Sequence, residues 1–63
     1  MHILTLRDYQ DYVTAKVGGE LTPEEVDHVR RAHAYCHTLG NAILTAALLN
    51  TARRVNADPM FNN

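Results

Sequence analysis

The chain has 63 residues, with six Lys or Arg against seven Asp or Glu and a single cysteine. A domain this small buries a modest share of its surface and commonly leans on disulfides, a metal or self-association. One thiol excludes a disulfide within the chain, the near-neutral charge argues against a non-specific nucleic-acid binder, and the ordinary apolar content argues against disorder.

The opening stretch, MHILTLRDYQDY, reaches Arg7 and Asp8 before an apolar leader can develop. Together with the lone thiol, this predicts a reducing, cytoplasmic setting. Leu4-Thr5 then reads as a helix start: Thr5 is a good N-cap, Asp8 falls at the third helical position, and Tyr9 at the fourth can staple onto Leu4. The first helix is expected over about 6–17, with Leu6, Tyr9, Val13 and Val17, joined by Tyr12, as its apolar stripe. Gly18-Gly19 ends it, because glycine takes the left-handed cap conformation cheaply.

A second start repeats the grammar. Leu21 precedes Thr22, Pro23 suits the first helical position, and Glu25 and Val26 occupy the places of Asp8 and Tyr9. From Pro23 to about Asn56 the apolar residues hold one helical phase. Asp27, Arg31, Thr38, Thr45 and Asn56 fall on a narrow polar stripe, while Val29, Ala32, Cys36, Leu39, Gly40, Ile43 and Ala47 fall opposite. Val26, Leu44, Leu48 and Val55 widen the apolar arc. A glycine inside a helix costs about 1 kcal/mol relative to alanine, too little to force a break at Gly40. The expected fold is therefore all-α: a helical hairpin of a short helix (about 6–17) and a long one (about 23–56), forming a helix-bundle homodimer. A three-helix bundle, broken at Gly40 and recapped by Asn41, is the alternative. Residues 1–57 would form the domain and 58–63 a short tail, in which Met60 and Phe61 are the only large apolar groups.

A long helix would be about 50 Å in length, of which the first helix could cover only about 18 Å. The uncovered arc needs a partner, and a two-fold pairing through Val29, Ala32, Cys36, Leu39, Gly40, Ile43 and Ala47 is the natural solution. A membrane is the poorer one: residues 32–52 lack charge but carry His33, His37, Thr38, Asn41, Thr45, Asn50 and Thr51.

The segment HAYCH puts His33, Cys36 and His37 at i, i+3 and i+4, on one face if it is helical. Imidazole and thiolate at that spacing can share a zinc ion, but a fourth ligand must come from elsewhere, and His28 points about 140° away on the same helix. Packing at the dimer face is the plainer reading, so no resident metal or cofactor is expected, and without an oriented third group or a cleft neither is an enzyme.

Arg30 and Arg31 follow an acidic run of Glu20, Glu24, Glu25 and Asp27, with Asp27 and Arg31 spaced for an i,i+4 pair. Arg53 and Arg54 fall in a last helical turn, where cations complement the dipole. Tyr35 lies off the apolar arc, where a large aromatic can anchor a partner. The chain thus reads as a small non-enzymatic protein–protein interaction module: an adaptor, inhibitor or regulatory accessory protein of the size phages and mobile elements often encode. It would act as a homodimer that presents Tyr35, Arg30, Arg31, Glu24 and Asp27 to another protein. The alternatives are a small nucleic-acid-binding transcriptional regulator using Arg53 and Arg54, and a zinc-stabilised helical dimer.

Overall fold

The computed structural model describes residues 3–58, and these form three helices: α1 (Leu6–Lys16), α2 (Pro23–Tyr35) and α3 (Leu39–Ala57). Each begins at a threonine whose hydroxyl accepts the backbone N–H three residues on. Thr5 takes Asp8 at 3.1 Å, Thr22 takes Glu25 at 3.2 Å, and Thr38 takes Asn41 at 3.2 Å. At Thr22 the box is reciprocal, since Glu25 Oε1 accepts the Thr22 N–H at 2.8 Å. Two orphan donors of the helix start are thereby satisfied by one another's residues. After α1 the chain turns through Gly18 and Gly19, at φ +83° and +150°, where any side chain would be strained.

The single helix expected over 23–56 is not formed. α2 stops at Tyr35, Cys36 and Thr38 take extended backbone as C-cap and N-cap, and α3 starts at Leu39. The break lies before Gly40, not at it, and Thr38 recaps the chain where Asn41 was expected to. The physical reason is a competing set of bonds at the elbow. Asn41 Nδ2 lies 2.6 Å from Cys36 O and 3.0 Å from Ala32 O. Leu4 N–H donates to His37 O at 2.8 Å, and Ile3 pairs with Thr38 in an isolated antiparallel bridge. A continuous helix would forfeit all of these together with the Thr38 cap.

Bending there lets all three helices close on one core. Tyr9, Val13 and Val17 from α1 and its cap, Val29 from α2, and Ala42, Ala46 and Leu49 from α3 are buried, with Leu4, Tyr12, Leu21 and Ala32 packed around them. Tyr9 is fully buried because its hydroxyl has partners: Thr45 Oγ1 at 2.7 Å and Asn41 Nδ2 at 2.9 Å. Thr45, placed on the polar stripe by the periodicity, is thus an interior residue, buried only because it is bonded. Among the described residues no buried side-chain nitrogen or oxygen lacks a partner.

Candidate protein-docking face

α3 is apolar on two sides. Ala42, Thr45, Ala46 and Leu49 face the core, and the opposite side carries Ile43, Leu44, Leu48 and Val55, which are 48, 67, 61 and 44% exposed. An α3 buried on one face only would show polar residues on the other. Beside this face the C-terminal turn of α2 raises Tyr35, 92% exposed, and an open groove runs between the two helices. His28, Arg31 and Tyr35 line it from α2, Leu44 and Leu48 from α3. Tyr35 itself lies one residue before the C-cap, where the helix ends and the side chain clears its own core.

The residues expected at a dimer face divide between interior and surface. Val29 is completely buried within one chain, and so it is not on a surface that a second copy could meet. Ala32 packs against the same core, while Cys36 and Leu39 are half-buried on either side of the elbow. Gly40, Ile43 and Ala47 are exposed on the outer side of α3. The elbow is the cause: it folds α3 back beside α2, so that one continuous stripe along a straight helix becomes an inner surface on α2 and an outer one on α3. Of the partner-facing set, Tyr35, Arg30, Arg31, Glu24 and Asp27 are all exposed, and Arg31 Nη2 sits 2.9 Å from Asp27 Oδ2 in a solvated i,i+4 pair. Leu44, Leu48 and Val55, read from the sequence only as widening an arc, are three of the four large apolar side chains exposed on α3. The local cue is Thr38: taken as an N-cap, it marks the start of a new helix that can fold back, while the side that then turns inward is set by the elbow.

The two arginines at the end of α3 have separate fates. Arg53 forms a fork on Glu25, Nε to Oε2 and Nη2 to Oε1 both at 2.7 Å; Nη2 also donates to Glu20 O at 2.8 Å and Nη1 to Val17 O at 3.3 Å. It ties the α1–α2 turn and the start of α2 to the end of α3. Hydrogen bonding from Arg53, helped by the Thr22 N–H, holds the Glu25 carboxyl down at about 2. The Arg53–Arg54 pair expected for a nucleic-acid interface is therefore not a pair of outward cations, since only Arg54 is exposed. The Glu25 carboxylate raises the Arg53 pKa in return.

HAYCH does not lie on one helical face. His33 is within α2, Cys36 caps it, and His37 is in the elbow. His33 Nε2 is 2.8 Å from Leu4 O, and since a carbonyl only accepts, Nε2 carries the proton there. The His33 ring meets Tyr9 edge-on at 5.2 Å and His37 at 5.8 Å. Cys36 Sγ lies 3.5 Å from Thr38 Oγ1, whose hydrogen bonding draws the thiol below its ordinary pKa. Among the described residues no three His, Cys, Asp or Glu side chains gather closely enough to hold a metal ion. What the segment does is join α2, the elbow and the N-terminal strand-like residues. Met60 and Phe61 of the expected tail lie outside the described residues.

No helix among the described residues is long and apolar enough to cross a membrane. Comparison of the chain with protein-family models, with curated proteins and with solved structures gives no significant match.

Proposed function

We propose that the protein is a small non-enzymatic interaction module, an adaptor, inhibitor or regulatory accessory factor, that acts through protein contact and as a homodimer. The observation that carries this reading is the outer side of α3. Four large apolar side chains there are about half exposed or more, while the same helix buries its other side in the core. Exposed apolar surface rimmed by polar groups marks contact sites on small soluble domains. Tyr35 and Arg31 line the groove beside that face and fit an aromatic-anchored recognition surface, to which we assign the exposed Arg30, Glu24 and Asp27 of α2 as further polar contacts.

Two other readings draw less support. A nucleic-acid interface loses Arg53 to Glu25, and the remaining cations, Arg7, Lys16, Arg30, Arg31 and Arg54, are scattered over all three helices. A zinc-stabilised assembly would need at least a third ligand gathered with His33 and His37, and no three such side chains come together among the described residues.

The test is a photoreactive side chain introduced at position 48 in cells. Protein adducts are expected, and they should vanish when Leu44→Arg is added, with helix content unchanged. Adducts to nucleic acid alone, or none at all, would sink the module.

A further inference from the structure

We infer that the occupant of the α3 face is a second copy of this chain, its α3 running antiparallel to the first and centred near Ala47. This rests on the reading of that face as a docking surface. At 100° per residue, Gly40, Ala47 and Thr51 run down the middle of the exposed arc. Ile43 flanks them on the α1 side, and Leu44, Leu48 and Val55 flank them on the α2 side. A low centre between raised apolar edges is the shape that admits another helix closely.

Gly40 is the second observation. Its φ is not positive, and a Cβ built there meets nothing nearer than Thr38 Oγ1 at 3.9 Å. The chain itself gives no reason for glycine at an exposed helical position, where alanine is the better residue. In an antiparallel pair centred between Ala47 and Leu48, Gly40 faces Val55 of the second copy, and the missing side chain makes room for it.

Charge decides the direction. From Leu39 to Ala52 α3 carries no Asp, Glu, Lys or Arg, and so two copies meet there without like charges opposed. Arg54 lies on the same face at the end of the helix. Parallel two-fold pairing would set Arg54 against its own copy. Antiparallel pairing separates the two by about 13 residues, roughly 20 Å, beyond the screening length of about 8 Å at physiological salt.

Area sets the strength. A strip of helix 19 residues long is about 28 Å by 10–12 Å, roughly 300 Å², whereas a standard stable contact takes about 800 Å² from each partner. Tyr35, which lines the groove together with Leu44, adds the shoulder of α2 to that strip. The contact therefore belongs to the small, concentration-dependent class of dimers, and being apolar it should tolerate added salt.

The experiment is light scattering over a concentration series, combined with cysteine cross-linking in a Cys36→Ser background. The expected results are a monomer–dimer equilibrium and a dissociation constant raised at least tenfold by Leu44→Arg with Leu48→Arg. Both side chains are exposed within the chain, so helix content should be unchanged, which circular dichroism checks. Ala47→Cys should cross-link to itself, and Gly40→Cys to Val55→Cys but not to itself. A wild-type chain that is monomeric up to about 1 mM overturns the inference, as does a dimer indifferent to the two arginines or a Gly40→Cys chain that links to its own kind. If residue 48 still cross-links another protein while the chain stays monomeric, the second copy is refuted and the docking face is not.

Discussion

Asn41 holds the elbow with a single amide. Its Nδ2 has two hydrogens and three oxygens around it, Cys36 O at 2.6 Å, Tyr9 Oη at 2.9 Å and Ala32 O at 3.0 Å, so one hydrogen is shared. Asn41→Ala leaves Cys36 O and the Tyr9 hydroxyl short of a partner in a half-buried place, and should cost about 1–3 kcal/mol, measured as a lower urea midpoint at unchanged m. Asn41→Asp should be worse at neutral pH, where a carboxylate faces two carbonyl oxygens. It should recover part of the loss on acidification, because the protonated acid can donate one hydrogen bond. A charge-swapped site without that pH response would mean the amide is not the clamp. Glu25 gives the opposite slope. Its carboxyl sits at about 2 in the fold against 4.5 ordinarily, so the stability it contributes is complete above about pH 4.5 and is lost as pH falls toward 2. The full linkage value is reduced because the Arg53 side chain is still 34% exposed, leaving on the order of 1–2 kcal/mol. Urea midpoints across that window should fall in the wild type and stay nearly level in Glu25→Gln.

At the scale of elements, the three helix starts obey one rule, a threonine N-cap with a polar residue three places on. The first two are legible in LTLRDY and LTPEEV, and both form where the sequence predicts. The third, TLGN at 38–41, obeys the same rule but sits inside an apolar run whose phase continues on both sides, so periodicity reads through it. Phase alone cannot separate one long helix from two packed antiparallel, because both keep apolar residues at helical spacing. What breaks the tie is tertiary: the Asn41 amide, the bridge from Ile3, and the core that Leu49 and Val29 share only if the chain folds back. The same limit explains the site. Tyr35 is legible as an off-stripe aromatic, whereas the outward turn of Leu44 and Leu48 follows from the elbow and from nothing local. Thr38→Ala should lower stability by about 1 kcal/mol, in line with other lost threonine caps. Gly40→Ala, two residues past the Thr38 cap and meeting only Thr38 Oγ1 at an ordinary 3.9 Å, should stabilise the isolated fold by up to about 1 kcal/mol. Denaturation of both variants at low protein concentration checks the pair, and a Gly40→Ala chain that loses stability there would show a close contact within one chain that the fold does not contain.

For the whole molecule the decisive feature is how little core it has. Among the described residues one tyrosine, three valines, one leucine and two alanines are buried, while Ile43, Leu44, Leu48 and Val55 are spent outside. A domain of this size is marginal by itself, and covering the outer side of α3 would add apolar burial of the kind the interior lacks. Binding that selects the folded state raises stability by mass action, so self-association couples melting to protein concentration. Well above the dissociation constant, each tenfold rise in concentration adds half of 1.4 kcal/mol per chain, about 0.7 kcal/mol. For a small domain, where 1 kcal/mol moves the midpoint by about 4–8 °C, this is a rise of roughly 3–6 °C in Tm per decade. Scanning calorimetry over a hundredfold concentration range should show that rise in the wild type. The Leu44→Arg, Leu48→Arg chain should melt at one temperature throughout, near the wild-type value at the dilute end, because both residues lie outside the core. A wild-type midpoint that is flat over the same range would separate folding from association and leave the three-helix core as the sole source of stability.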